Sequence, residues 1–224
     1  MTEPNPEGLR PPAQAHRSPS FQHYFSESPR APPRRRELRF LFQGRPLRFL
    51  TDSGVFASEA LDPGTALLIE NMMLKGDETV LDLGCGWGAI GIAAALSLPR
   101  GRVWMTDVNR RAIRLAKENA VRNGVTNVVV LSGPGYEPVI GQSFDLIASN
   151  PPYRAGRPTV LELLSGARSH LKPGGRLLVV GKGGQGILFY QRVLKASGGT
   201  VTILGRRGGY RVLETIWTEP PETR

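Results

Sequence analysis

The fold is decided by Val80-Leu81-Asp82-Leu83-Gly84-Cys85-Gly86-Trp87-Gly88-Ala89-Ile90-Gly91. A short apolar run rich in β-formers ends in an acid, passes through glycines at every second position, and enters a run of small residues. This reads as a strand, a tight turn and the start of a helix. Glycines let the backbone of such a turn come close to a ligand, and the helix start offers unpaired N–H groups.

The same alternation continues downstream. Strands are expected at Arg102–Thr106, ending in Asp107, at Val128–Leu131, and at Phe144–Ser149, which runs into Asn150-Pro151-Pro152-Tyr153. Helices are expected at Ala89–Leu98, Arg110–Asn123 (closed by Gly124) and Val160–His170, where His170 reads as a C-terminal cap. The pattern closes with a strand at Arg176–Val180, a helix at Gly186–Ala196, and strands at Val201–Leu204 and Tyr210–Trp217 around Arg206-Arg207-Gly208-Gly209. Such alternation implies an α/β fold, a doubly wound and mainly parallel sheet with helices on both faces. The short glycine turn makes the last pair of strands antiparallel.

Upstream, Asp62-Pro63-Gly64-Thr65 opens a helix whose body is Ala66–Leu74, with an N-cap acid or hydroxyl and an early proline. Ser53–Glu59 reads as a loop. Glu37–Phe42 and Leu47–Thr51 alternate around Gln43-Gly44-Arg45-Pro46, which predicts a β-hairpin. The chain therefore divides into a disordered Pro-rich tail over 1–20, an N-terminal extension with hairpin and lid over 21–64, and an α/β domain over 65–218. Arg34-Arg35-Arg36 fits either phosphate contacts or a solvated linker.

With 224 residues and 40% hydrophobic content the chain can bury one substantial core. It has no apolar run of about 18 residues, the length that spans a bilayer, and no apolar segment of signal-peptide type. A single Cys85 rules out an intrachain disulfide, and no metal-ligating cluster is evident. A cytoplasmic protein is expected, with no metal, no membrane partner, and an oligomeric state that is open, a monomer being compatible. Net charge is +10, and from Pro151 to Trp217 eleven Arg and Lys face only Glu162 and Glu214. That segregation favours a surface for a polyanion such as nucleic acid over a solubilising one.

Gly84-Cys85-Gly86-Trp87-Gly88-Ala89 satisfies the dinucleotide fingerprint, but S-adenosylmethionine sites use the same strand–turn–helix geometry. Asp107 sits where an acid meets ribose hydroxyls and fits both ligands. Asp82 favours the second, because a carboxylate there would suit a sulfonium or ammonium group and oppose a pyrophosphate. Gly88 extends the series to D-x-G-x-G-x-G. Asn150-Pro151-Pro152-Tyr153, at a strand's carboxyl end, has no use in a nicotinamide enzyme.

That tetrapeptide has its own chemistry. The Asn150 side-chain oxygen and the Pro151 carbonyl can both accept from one planar NH2 group. Doing so draws the nitrogen lone pair out of conjugation and aims it at a methyl donor. Proline fixes the backbone and leaves no competing donor. Tyr153 can stack on a planar base or amide, worth about 1–3 kcal/mol for a base. The motif serves exocyclic amines of adenine or guanine and also protein glutamine.

From Phe21 to Trp217 the chain resembles the class I S-adenosylmethionine-dependent methyltransferases. Leu81–Gly88 matches their glycine motif, Asp107 their ribose acid, and Asn150–Tyr153 their amino-methylating motif. The resemblance implies a seven-stranded sheet of order 3-2-1-4-5-7-6, counted from Val80, with strand 7 antiparallel. It implies S-adenosyl-L-methionine as cofactor, held by Thr65, Asp82, Gly84, Gly86, Gly88, Asp107, Val108, Ser132, Gly133 and Asn150. The class often carries Asp or Asn after the third strand for the adenine amino group. This chain has Ser132-Gly133-Pro134-Gly135-Tyr136 there, so Ser132 or a backbone carbonyl takes that place.

Within the class, His23–Pro29, Gly54–Ser58, Leu61–Thr65 and Gly208–Leu213 resemble, in order, segments of the RsmC-type ribosomal RNA guanine-N2 methyltransferases. This implies ribosomal RNA or the small ribosomal subunit as partner and a 16S rRNA guanine as acceptor. Asn150, Pro151 and Tyr153 would carry the transfer, and Pro152, Tyr153, Arg154, Arg157, Arg206 and Arg207 would contact substrate. Longer family members carry an additional N-terminal methyltransferase-like domain with no counterpart here. Alternatives are an adenine-N6 methyltransferase, a protein glutamine methyltransferase, and a non-catalytic RNA-binding module. Phe56 fits an apolar lid over the cofactor or a core position equally.

Overall fold

Strand β3, Thr79–Leu83, is an inner strand, third from one edge of a seven-stranded sheet, in a computed structural model that describes residues 32–218. The tail expected over 1–20 and the aromatics at 21–25 lie outside the described residues. β3 is followed by α2, Ala89–Leu96, then β4, Arg102–Asp107, α3, Arg110–Arg122, and β5, Val128–Ser132. Then come β6, Phe144–Ser149, α4, Arg157–His170, β7, Leu171–Lys182, α5, Ile187–Ala196, β8, Thr200–Arg207, and β9, Tyr210–Ile216. The sheet order is β5-β4-β3-β6-β7-β9-β8, with β9 antiparallel to both neighbours and the other pairings parallel. Counted from β3 this is 3-2-1-4-5-7-6, as the resemblance implied.

Both faces of the sheet are covered, so successive residues of a central strand enter opposite cores. Leu146, Ala148, Leu178, Val180 and Val212 face one core, with α2, α3 and α1 (Pro63–Glu70) above them. Ile147, Leu177, Val179 and Leu213 face the other, under α4 and α5. Helix α2, AIGIAAAL, is apolar all round and buried at seven positions because it lies between the sheet and its neighbouring helices. Among the described residues no helix is long and apolar enough to cross a membrane.

The hairpin consists of β1, Arg36–Phe42, and β2, Arg45–Thr51. Its turn is tighter than the sequence suggested, since Arg45 and Pro46 pair with Phe42 and Leu41 as strand residues. Gln43 and Gly44 alone make the turn, both with positive φ, the backbone that matches strand twist. Pro46 is tolerated because β2 is an edge strand. Leu47 and Phe49 are fully buried, each contributing about 1.5–3 kcal/mol of apolar transfer, and Phe49 meets Trp87 edge-on at 5.0 Å.

The outer edge of β2 is closed by side chains of α3. Leu50 N donates to Asn119 Oδ1 at 2.7 Å and Asn119 Nδ2 donates to Leu50 O at 2.9 Å. One turn along, Asn123 makes the same exchange with Arg48, at 3.0 and 2.8 Å. Arg34, Arg35 and Arg36 are tied down too. Arg34 N donates to Asp52, and the other two pair with Glu118 and Glu59 at 3.2 and 3.3 Å.

Several boundaries differ from expectation: α1 ends at Glu70 rather than Leu74, and β8 runs over Thr200–Arg207 rather than Val201–Leu204. β7 starts at Leu171, which pairs with Phe144 before the register slips to Leu146 against Arg176. The Pro-Gly-Gly run is thus an irregular part of the strand, and Gly175 is there because a Cβ would fall 2.9 Å from the Phe144 carbonyl. α4 begins at Arg157, with Pro158 in its first turn. At its end His170 Nδ1–H donates to Gly166 O at 2.9 Å while the ring stacks on Tyr136 at 4.3 Å.

Candidate active site

The carboxyl ends of β3, β4 and β6 meet at one edge of the sheet, the position where open α/β sheets take ligands. Asp82, the fourth residue of β3, is fully buried. Its Oδ2 accepts from Gly91 N at 2.8 Å, whereas Oδ1 has no partner. Burial pushes this carboxyl up to about 7, further raised by the charge of Asp107 and opposed by the Gly91 hydrogen bond. A buried acceptor left without a donor is costly, so the site calls for a donor or a cation from a ligand.

Asp107, at the end of β4, accepts from Gly86 N at 2.9 Å through Oδ2 and from Asn109 N at 2.8 Å through Oδ1. It thereby braces the glycine turn from the neighbouring strand, and each oxygen keeps a second lone pair for a ligand hydroxyl. Desolvation raises its pKa, against these two backbone bonds. Gly84 and Gly86 have φ of 74° and 55°, and a Cβ on either would meet nothing within 4 Å. The backbone conformation demands glycine there, while the space beside it stays open. Gly88 shares the left-handed backbone, with φ of 92°, but a Cβ there would also press on Ile92 and Ala116, where α2 packs against α3.

An open glycine turn, a buried carboxylate with one oxygen left without a partner, and a second carboxylate one strand away fit S-adenosylmethionine. Its ammonium suits Asp82 and its ribose hydroxyls suit Asp107. Val108 follows at the strand end, half-buried. Ser132 ends β5 and is exposed, paired in register with Asp107, and Gly133 N donates to Asp107 O at 3.1 Å. Both lie beside Asp107 at the carboxyl end of β4.

The loop between β2 and α1 is fastened to these elements. Trp87 Nε1–H donates to Phe56 O at 3.1 Å, and Asn109 Nδ2 donates to Gly54 O at 2.9 Å. Arg111 reaches Ser53 O at 2.6 Å. Yet the Phe56 side chain is 47% exposed, so it does not belong to the core.

Asn150 follows β6. Ser149 Oγ–H donates to Leu83 O at 2.8 Å, which ties the acceptor motif to the strand that carries the glycine turn. Asn150 Nδ2 donates to Asp62 Oδ2 at 3.0 Å and to Thr65 Oγ1 at 2.9 Å. Thr65 therefore lies against Asn150. Asp62 also caps α1 by accepting from Thr65 N at 2.8 Å. The Pro151 carbonyl accepts from Tyr153 N at 2.8 Å, closing a tight turn and leaving one lone pair, and the Pro152 carbonyl accepts from Ala155 N at 2.8 Å. Tyr153 is half-buried; its O–H donates to Val180 O at 2.8 Å, and its ring lies 5.8 Å from that of Tyr190.

Of the arginines singled out, Arg154 and Arg157 are exposed directly after the motif, with Arg157 stacked over Phe189 at 5.0 Å. Arg206 and Arg207 end β8, which runs in the same direction as β6 and β7. They help line a shallow hollow of about 300 Å³ with Gly208–Arg211. Arg207 is committed to a bidentate pair with Glu70 of α1. Tyr210 O–H reaches Asp62 Oδ1 at 3.4 Å, so this turn adjoins the Asn150 cluster. Asp62, Asn109 and Tyr210 were not singled out as site residues from sequence. An acid one turn before Thr65 was visible, but only as a helix cap.

Residues 46–214 match the Methyltransferase small domain family. The chain is 33% identical over 195 residues to "Uncharacterized protein YbxB" of Bacillus subtilis, covering 86% of this chain and 97% of that protein. It is 37% identical over 169 residues to "Ribosomal RNA small subunit methyltransferase C" of Mannheimia succiniciproducens, covering 73% of this chain and 49% of that one. The chain spans about half the length of the curated methyltransferases of that name that it matches. Among solved structures, the Thermus thermophilus 16S rRNA N2 G1207 methyltransferase in complex with AdoMet and guanosine superposes with a TM-score of 0.73. Identity there is 24%, over 84% of this chain and 52% of that one, and the likeness bears on the fold.

Proposed function

The chain belongs to the Methyltransferase small domain family, as an RsmC-type class I methyltransferase with S-adenosyl-L-methionine as its cofactor, and we propose that it methylates the exocyclic amine of a nucleobase, guanine N2 of 16S ribosomal RNA. The observation that carries this is the bond from Ser149 to Leu83, which sets Asn150-Pro151-Pro152-Tyr153 beside the glycine turn. S-adenosylmethionine, when bound, supplies an electrophilic methyl on a sulfonium. The chain's own residues supply placement. Asp82, Gly84, Gly86, Asp107, Val108, Ser132 and Gly133 border the donor.

Asn150 Oδ1 and the remaining lone pair of the Pro151 carbonyl accept the two amine N–H bonds, localising the nitrogen lone pair for attack. The Tyr153 ring bounds the acceptor side, and Pro152 fixes its approach. The nitrogen becomes cationic on attack and loses its proton readily, so no strong general base is required. Phe56 lies on a loop fastened to Trp87 and Asn109, and serves as an apolar cover for the donor. Arg154, Arg157, Arg206 and Arg207 hold phosphates around the target, Arg207 after exchanging Glu70 for a phosphate. A paired base must be flipped out at a cost of a few kcal/mol, which favours loop or mismatched targets.

The test is transfer of tritium from labelled S-adenosylmethionine to 16S rRNA, followed by nucleoside analysis of the product. N2-methylguanosine is expected. N6-methyladenosine, or label in protein alone, would replace the guanine assignment. Asn150→Ala should keep cofactor binding and lose transfer; full activity in that variant overturns the role of Asn150.

A further inference from the structure

Asparagine's amide offers an oxygen on one side and an NH2 of nearly the same shape on the other, and only the oxygen can receive an amine N–H. We propose that Asp62 is a positioning residue that sets which of the two Asn150 presents to the acceptor. The inference rests on the role of Asn150 given above and deepens it. Both Asn150 Nδ2 protons are consumed, by Asp62 Oδ2 at 3.0 Å and Thr65 Oγ1 at 2.9 Å. Oδ1 is therefore the atom left to face a substrate.

The two partners differ in what they can enforce. A threonine hydroxyl donates or accepts, so it tolerates either orientation of the amide. A carboxylate only accepts, and a flipped amide would set Asn150 Oδ1 against Asp62 Oδ2 with no proton between them. Asp62 is the discriminating partner. A helix cap does not by itself need a charge, since Ser, Thr and Asn cap as well as Asp. Here the same carboxylate caps Thr65 N at 2.8 Å and also takes the amide.

Asp62 is in turn held from a third element. Tyr210 O–H, at the start of β9, reaches its Oδ1 at 3.4 Å. The Tyr210 ring fits there because residue 64 is glycine, whose Cβ would lie 2.7 Å from the ring. Asp62 at the N-cap of α1 and Thr65 in its first turn thus hold the amide of Asn150, and Tyr210 of β9 holds Asp62. Orienting it before the substrate arrives removes reorganisation from the transfer step.

The test uses variants that keep the cap. Asp62→Ser retains a capping oxygen and removes the carboxylate, and kcat for tritium transfer to 16S rRNA should fall about tenfold or more with KM for RNA and the cofactor Kd little changed. Asn150→Asp opposes two carboxylates and should lower kcat by a similar factor. Adding Asp62→Ser to Asn150→Asp sets a hydroxyl between Thr65 N, from which it accepts, and the residue-150 carboxylate, to which it donates, and should recover at least about fivefold of that loss. The proposal is overturned if Asp62→Ser keeps kcat within about twofold, or if the double variant is no better than Asn150→Asp alone. A merely structural role of Asp62 predicts no such recovery. Should Asp62→Ser fail to fold, Asp62→Thr, whose hydroxyl also caps, takes its place in both comparisons. Full activity of Asn150→Ala would instead remove the underlying reading of Asn150, an outcome read separately from these.

Discussion

Asn119 and Leu50 exchange two hydrogen bonds, at 2.7 and 2.9 Å, in the way two strands would, although Asn119 belongs to helix α3. Its amide also donates to Trp87 O at 2.8 Å and is fully buried. Asn119→Ala leaves the Leu50 N–H and C=O and the Trp87 carbonyl short of partners, and should cost about 2–4 kcal/mol. Urea unfolding measures the loss, and the Leu50 amide should exchange hydrogen faster than in the native protein. An unchanged midpoint would show that water replaces the side chain without penalty.

The buried Asp82 makes cofactor binding depend on pH. Its folded pKa of about 7 lies above the ordinary carboxyl value, so the folded state binds a proton that the unfolded chain has released. The stability this gives the ligand-free protein is complete below about pH 4 and is lost as pH rises through about 7. A cationic ligand prefers the ionised form. Affinity for S-adenosylmethionine should therefore tighten between about pH 6 and pH 8, with proton release at the lower value. Calorimetry in two buffers of different ionisation enthalpy reads the proton directly, and Asp82→Asn should abolish both effects.

Gly181 and Tyr153 act as one unit. A Cβ at residue 181 would lie 2.3 Å from the Tyr153 hydroxyl, so Gly181→Ala must push the ring off the Val180 carbonyl. Transfer should fall about tenfold, since a displacement of an ångström at a reacting centre is costly. Tyr153→Ala should lose a comparable amount, and the double variant should lose little more. Additive losses would separate the two residues.

Arg154 and Arg206 should behave as phosphate contacts. Each exchanged for alanine should weaken rRNA binding uniformly across sequences and reduce the slope of log K against log salt by about one. Arg207→Ala should leave the stability of the fold nearly unchanged, its pair with Glu70 being solvent-exposed. A salt slope that survives all three changes would remove these arginines from the RNA surface.

The sheet was legible because its signals are local. Leu81–Gly88 announces strand, turn and helix within a dozen residues, and the alternation after it repeats that unit. The short turn at Gly208-Gly209 gave the antiparallel strand, and β9 lies between β7 and β8 accordingly. Boundaries failed where tertiary contacts override propensity. Pro46 reads as a turn residue until β2 is known to be an edge, and Lys172–Gly175 falls between the expected helix and the expected strand until Leu171 pairs with Phe144.

The site was legible in part for the same reason. Asp82, Asp107 and Asn150 each end a strand and were readable as such. Their supports were not. Asp62 and Asn150 are 88 residues apart, and Asn109 and Gly54 are 55 apart. No spacing rule links them, because the sheet order alone makes them neighbours.

Trp87 gives the molecule a built-in fluorophore at the point where the loop meets the glycine turn. Its indole is 3% exposed and hydrogen-bonded to Phe56 O. The other two tryptophans, Trp104 and Trp217, pack on the opposite side of the sheet. A shift in indole emission on adding the methyl donor would therefore track the Phe56 loop with no label attached.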